Sequence, residues 1–438
     1  MKKVLIIAHA FPPLGIVGAL RPFKFAKYLP DFGWEPVVLS AKIGRHVKEI
    51  DESLLDQLKP CVKIHRVSGI GPRQLYEKYS ARKNRGQSGL KKTQNKLSGK
   101  NGLIIYLKRF WETWIEIPDR HIGWFPFALF KALRIMRNQN INVIYSTSDP
   151  YTSHLVALFI KKITKKPWVA DFRDPWTQYH LYEYHSAIRK RIDEKFEYQF
   201  LKKADEVTVT SNLTGNGFVD KYQYIDREKI ATITNGIDYE DFINLQSKPL
   251  NSTFTISFAG SFWSVGKSQP FINAISEIMT DNKDIKNKIK IKLIGIVDRV
   301  IKESIEKLKL GGVIECLGYI PHRECLQELS KSHILLLTRS DERGNEVIIP
   351  AKLFEYLAIR RSILALIPEG EASKIIYQTK SGMVIPPNDI SKIKRAILNF
   401  YNEYKKGSLH LEQNRSLNQY ERRLLTKKLS LILNNLSN

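Results

Sequence analysis

The sequence predicts two α/β domains in tandem, each a doubly wound, Rossmann-like parallel sheet. Three observations carry this. The chain has 438 residues, more than one ordinary core holds and enough for two domains of roughly 200 residues each. Short apolar runs rich in Val and Ile recur between helix-like stretches, the pattern of parallel strands covered on both faces. That series occurs twice, with the polar stretch Asn244 to Ser252 between the two copies.

In the first copy, Val4–Ala8 reads as the opening strand and ends in a Pro/Gly-rich turn, His9 to Gly18. Phe23, Ala26 and Leu29 recur at helical spacing, which predicts a helix over 20–29. Further strands are expected at Pro36–Ser40, Val143–Ser146, Trp168–Asp171 and Glu206–Thr210. The second copy has them at Phe254–Gly260, Ile289–Gly295, Val313–Gly318, Ile334–Leu337 and Ser362–Leu366. This divides the chain into residues 1–245, 253–400 and a helical tail, 401–438. Two such domains place a ligand cleft between them, facing the carboxyl ends of both sheets.

Composition narrows the class. With 43% hydrophobic and 26% charged residues the chain is globular rather than disordered. The charged start Met1-Lys2-Lys3 runs into an apolar stretch too short for a secretion signal. The most apolar region, Ile122 to Met136, is broken by Pro126, Lys131 and Arg134, so no spanning helix is expected. Cys61, Cys316 and Cys325 form no CxxC pair, which argues against a disulfide framework or a zinc site and fits a reducing cytosol.

Net charge is +26, which favours polyanions. Lys78 to Arg109 holds ten basic residues and no acidic one, and Trp111, Trp114, Trp124, Phe125 and Phe127 follow. Cations beside indoles suit a segment (about 78–130) lying on an anionic membrane surface. The same residues also read as a solvated loop followed by a buried aromatic helix. Specific nucleic-acid binding would need a reading helix or an aromatic platform, and the sequence shows neither.

Four motifs bear on chemistry. Gly15-Ile16-Val17-Gly18-Ala19-Leu20-Arg21 opens a helix after the first strand but is not the GxGxxG of dinucleotide folds. Gly15 and Gly18 would let backbone N–H groups approach an anion or sugar, and Arg21 would hold a phosphate; the alternative is a plain strand-to-helix turn. Asp171, Arg173 and Asp174 cluster at a strand's carboxyl end, placed to orient an acceptor hydroxyl or steady developing positive charge, or simply to fix the strand exit. Gly260 to Lys267 is a second small-residue loop ending in a cation. Lys352 and Glu355 share one helix face; a lysine at a helix N-terminus suits a pyrophosphate and a nearby carboxylate suits ribose hydroxyls. They also read as a surface ion pair of little consequence.

Together these residues resemble family 4 of the retaining glycosyltransferases, in the branch of bacterial surface-polysaccharide synthesis. The resemblance covers nearly the whole chain and rests on the order of its signs: Phe11-Pro12-Pro13 with Gly15, Gly18 and Arg21-Pro22; Pro118-Asp119 and Trp124; Ser146–Pro150; Asp171–Trp176; Asn235–Asp238; and Pro350, Lys352 and Phe354-Glu355-Tyr356. It implies a GT-B fold and metal-independent transfer of a sugar, with retained configuration, from a UDP- or GDP-linked donor that is a co-substrate rather than a cofactor. No Asp-x-Asp occurs in the chain, in keeping with that.

By the resemblance, Glu355 would hold the donor ribose, Lys352 and Lys267 the diphosphate, and Gly318-Tyr319-Ile320 would lie against the base. Phe354 would join the donor-binding set, Gly18 would approach the donor phosphates, and the last helix would return to the first domain. The acceptor would be a glycan or lipid-linked intermediate, with the enzyme cytoplasmic and peripheral on the inner membrane face. One departure stands out: many members carry a second glutamate eight residues before the ribose-binding one, where this chain has Val347 with Glu346 beside it. The competing readings are a GT-B nucleotide-sugar epimerase and an inactive membrane-associated scaffold.

Overall fold

The computed structural model describes residues 1–44, 47, 50–69, 114–178, 184, 186–243, 250–262, 268–282, 285, 287–409 and 415–437. The expected basic loop and Lys267 lie outside the described residues. The chain folds into two units, one of Met1–Thr210, Gly215–Ile233 and Thr426–Asn438, the other of Ser211–Thr214 and Thr234–Leu425.

The first unit is a seven-stranded parallel sheet of order β3-β2-β1-β4-β5-β6-β7. Its strands are β1 (Lys2–Ile7), β2 (Trp34–Ala41), β3 (Lys63–Val67), β4 (Val143–Thr147), β5 (Trp168–Phe172), β6 (Glu206–Val209) and β7 (Ile230–Thr232). Helices α1 (Val17–Tyr28), α2 (Ser53–Asp56), α3 (Phe125–Asn138), α4 (Thr152–Thr164), α5 (Ala187–Lys203) and α6 (Asn212–Lys221) connect them. Residues Val4–Ile7 are fully buried, as are Val143, Ile144, Val169 and Ala170; continuous Val/Ile/Ala runs are what strands covered on both faces require. Trp168, Phe172, Trp176, Phe200 and Phe218 fill the core on one face. Trp124, read either at a membrane interface or in a buried aromatic helix, is buried at 2% exposure because it packs into this same core, whereas Phe127 is exposed.

The second unit is a six-stranded parallel sheet of order β10-β9-β8-β11-β12-β13. These strands are β8 (Phe254–Ala259), β9 (Ile289–Ile294), β10 (Ile314–Gly318), β11 (Ile334–Thr338), β12 (Ser362–Leu366) and β13 (Gly382–Ile385). They alternate with α7 (Gln269–Asp281), α8 (Arg299–Lys307), α9 (His322–Ser330), α10 (Ala351–Ile359), α11 (Glu371–Gln378) and α12 (Ile390–Lys405). The two-residue period of a strand sorts its core: Ile334 and Leu336 pack with Phe254, Ile256 and Phe258, while Leu335 and Leu337 pack with Leu353 and Ile363 on the other face. The last helix, α13 (Arg422–Ser437), ends against the first sheet, where Trp34 Nε1 donates to Asn434 Oδ1 at 3.1 Å and Lys2 Nζ to Ser437 Oγ at 2.8 Å.

Strand order reverses between β1 and β4 in one sheet and between β8 and β11 in the other. Ligands of open α/β sheets bind at the carboxyl ends of strands beside such reversals.

Candidate functional site

In the second unit, three adjacent strands end in glycines of positive φ: Gly260 after β8 (114°), Gly295 after β9 (117°) and Gly318 closing β10 (71°). Backbone N–H groups tie them together, Gly260 donating to Ile294 O at 2.8 Å and Gly295 to Gly318 O at 2.7 Å. A Cβ on Gly295 would lie 2.4 Å from Gly260 O, so only glycine lets the two loops touch.

Lys352 reaches this arc from the first turn of α10. Its Nζ donates to Ala259 O at 2.7 Å and sits 4.1 Å from the Phe258 ring centroid. A Cβ on Gly260 would come within 2.9 Å of that Nζ. Burial pulls the Lys352 ammonium down to about 8, against the upward pull of Glu355. A desolvated cation at the β8–β11 reversal, on a helix N-terminus, is a ready anion site.

Glu355, one turn along α10, meets His322 at the start of α9, Oε1 to Nε2 3.0 Å. Cys325 lies beside them, its thiol pushed up to about 12 by burial and then by Glu355; such a thiol is a poor nucleophile. Tyr319 is 71% exposed and Ile320 half-buried after Gly318. Phe354 differs from expectation: its side chain has no exposed surface and packs on Tyr420, 5.4 Å between centroids, because at this point of α10 the helix faces the core. Glu346 turns to the backbone, Oε2 accepting from Gly344 N at 2.6 Å.

In the first unit the Asp171 cluster is built differently from its sequence reading. Asp171 is fully buried and accepts from Arg21 Nε at 3.0 Å and Nη2 at 2.8 Å, Thr147 Oγ1 at 2.8 Å and Thr208 Oγ1 at 2.7 Å. Burial alone would raise its pKa; the Arg21 charge and these donors overcome that and hold it at about 2. With its oxygens occupied and no exposed surface, Asp171 fixes the β4–β5–β6 strand ends rather than meeting an acceptor. Arg21, 1% exposed, is the buried counter-ion of Asp171 and not a phosphate ligand.

Arg173 does not bridge Asp171 and Asp174. Its guanidinium donates to Ser148 O, to Gly18 O at 2.7 Å and to Asp149, joining the β5 exit to the start of α1. A Cβ on Gly18 would lie 3.2 Å from Arg173 Nη1, a tight contact with the end of that side chain. Gly15 and Asp174 are exposed.

Sequence reasoning missed a group at the end of β1. His9 packs against His121 with the rings tilted at 57° (centroids 4.2 Å) and lies edge-on to Trp124 (5.1 Å). Burial, then His121, lowers His9 to about 3, so it is neutral. Asp119 accepts from Thr152 N at 2.7 Å, Thr152 Oγ1 at 2.9 Å and His121 N at 2.8 Å. Pro118-Asp119 and Trp124 were visible as motif residues, but nothing in the sequence joins them to His9. Among the described residues no group of His, Cys, Asp and Glu is arranged to hold a metal ion.

The two parallel sheets and their strand orders are those of the GT-B fold, and comparison with known proteins bears this out. The Anabaena protein Alr3699/HepE, solved with UDP, superposes with a TM-score of 0.65 at 12% identity over 99% of this chain and 100% of that one. Sucrose-phosphate synthase from Thermosynechococcus elongatus gives 0.64 at 14% identity over 100% and 99%. A variant of S. aureus TarM, solved with fondaparinux, alpha-GlcNAc-glycerol and UDP, gives 0.62 at 12% identity over the whole of both chains. At the level of sequence, residues 108–241 match the model of Glycosyltransferase Family 4. No protein of curated function matches the chain.

Proposed function

We propose that this chain is a glycosyltransferase that moves a sugar with retention, and without a metal, from a nucleotide-sugar to a glycan or lipid-linked acceptor at the cytoplasmic face of an anionic membrane. The observation that carries the reading is the desolvated Lys352 ammonium at the Gly260–Gly295 arc, with Glu355 one turn away on the same helix. An ammonium and a helix N-terminus suit a diphosphate; a half-exposed carboxylate suits ribose hydroxyls. The family match over residues 108–241 and the GT-B fold support the same chemistry. UDP is the first nucleotide to expect, since the Anabaena and S. aureus relatives were solved with it.

In the proposed reaction the bond from the sugar's anomeric carbon to the diphosphate breaks as the acceptor oxygen bonds to that carbon from the same face. The acceptor's proton passes to the departing phosphate oxygen, while Lys352 and the loop amides take up the charge that grows on the leaving group. Asp174, exposed at the β5 exit, orients the acceptor, and Arg173 fixes the loop that carries it.

Calorimetric titration with UDP, GDP and their sugar conjugates in metal-free buffer tests the donor half. Micromolar binding of one nucleotide class, lost in Glu355→Ala, is expected. A folded protein that binds none of them would overturn the proposal. Conversion of the sugar nucleotide into an isomeric sugar nucleotide, equal with and without acceptor, would favour an epimerase.

A further inference from the structure

The outer face formed by α3 and α4 carries an unusual pairing of side chains. Phe127 (41% exposed) and Phe130 (72%) stand three apart on one side of α3, and Phe159 (38%) and Ile163 (58%) four apart on α4. Phe125 meets Phe159 edge-on at 5.2 Å between centroids, so the two helices form one surface. Neither helix contains an Asp or Glu, nor do the Lys165-Lys166 residues that follow α4. Arg134, Arg137, Lys162 and Lys165 are exposed, and among the described residues none of the four has an ion-pair partner. Protein surfaces ordinarily intersperse both signs of charge and scatter exposed apolar residues singly.

We propose that this α3–α4 face is the docking surface for an anionic lipid bilayer. Its rings would enter the boundary between head groups and acyl chains while the flanking cations meet lipid phosphates. Charge decides against a second copy as occupant, because two such faces would oppose cation to cation, neither helix carries a carboxylate, and the neighbouring Asp205 is already paired with Lys161. The inference builds on the membrane attachment in the proposed function and extends it from the 78–130 segment, which contains Phe127 and Phe130, to the arginines of α3 and to α4. It is also separable from the transfer reaction.

The test is flotation of the full chain with phosphatidylcholine vesicles, with and without phosphatidylglycerol. The wild type is expected to float with the anionic vesicles alone. Phe127→Ser/Phe130→Ser and Arg134→Gln/Arg137→Gln/Lys162→Gln should each weaken that association roughly tenfold or more. All of these positions are exposed, so circular dichroism and nucleotide titration should match the wild type; the titration reads the transfer proposal independently. Unchanged vesicle binding in both variants would overturn the inference, as would equal binding to neutral vesicles. A wild-type dimer that the Phe127→Ser/Phe130→Ser variant dissolves would also overturn it and give the face to a second copy.

Discussion

Arg21 and Asp171, 150 residues apart in sequence, meet as a two-pronged ion pair in which neither side chain is exposed by more than 2%. Thr147 and Thr208 complete the carboxylate's hydrogen bonds from the two flanking strands. The pair therefore holds together α1, β4, β5 and β6 around the strand-order reversal of the first unit.

Removing one partner leaves the other charged and buried, which costs about 3–5 kcal/mol. Arg21→Met is expected to lower the unfolding midpoint steeply, and Arg21→Met/Asp171→Leu to recover part of that loss. The pH dependence follows from the depressed pKa of Asp171. A folded-state value of about 2, below the unfolded 3.8, gives stability that is complete above the unfolded value and is lost as pH falls toward 2. Urea unfolding between pH 5 and 2 should show a shallower acid loss in Asp171→Asn than in the wild type.

The strands that organise both sheets were legible because burial on both faces demands uninterrupted apolar runs, as in Val4–Ile7 and Ile334–Leu337. Of the four edge strands only β10 was legible; β3, β7 and β13 were not. β3 reads Lys-Ile-His-Arg-Val and β13 Gly-Met-Val-Ile, too polar or too short to stand out from the loops around them. On the candidate site, spacing along one helix was enough to join Lys352 to Glu355. The partners that define their chemistry come from other elements: Ala259 and Phe258 from β8, His322 from α9. The Asp171–Arg173–Asp174 cluster shows the limit most clearly. Adjacent charges suggested mutual contact, yet Arg173 and Asp171 found their partners more than twenty residues away, Arg173 on Gly18 and Asp149, Asp171 on Arg21. An arginine set among the apolar residues of a helix destined for the core was the one available sign that Arg21 would need a buried acid.

Lys352 gives the donor site a pH signature. Burial brings its ammonium to about 8 in the free protein, whereas a bound diphosphate favours the charged form. Below about pH 8 the cation is already present and affinity should be flat; above it, binding must take up a proton and should weaken by up to about tenfold per pH unit. Titration of UDP across pH 6.5 to 9.5 checks this. Lys352→Met should bind weakly and lose the dependence on pH.

His322 is expected to position Glu355 rather than to touch the transferred sugar. Loss of one hydrogen bond to a carboxylate of this exposure is worth about 1 kcal/mol, so His322→Ala should weaken nucleotide binding about fivefold. His322→Gln retains a side-chain donor and should recover most of the affinity. The same variants should leave deoxyribonucleotide binding less affected, because a positioning role acts through the ribose hydroxyls that Glu355 accepts from.

The glycine arc makes the sharpest structural prediction. Gly295 combines a φ of 117° with a Cβ position 2.4 Å from the carbonyl oxygen of Gly260, so alanine there is strained in its own backbone and also forces the two loops apart. Each effect costs about 1–3 kcal/mol, and Gly295→Ala is expected to lower the unfolding midpoint and weaken nucleotide binding together. Gly311, in the same unit, has nothing within 4 Å of its Cβ position and no positive φ. Alanine there should stabilise slightly, by about 0.4–1 kcal/mol through the unfolded chain, and leave the nucleotide site untouched. Equal behaviour of the two variants in thermal unfolding and UDP titration would mean that the close approach of the β8 and β9 loops does not build the site.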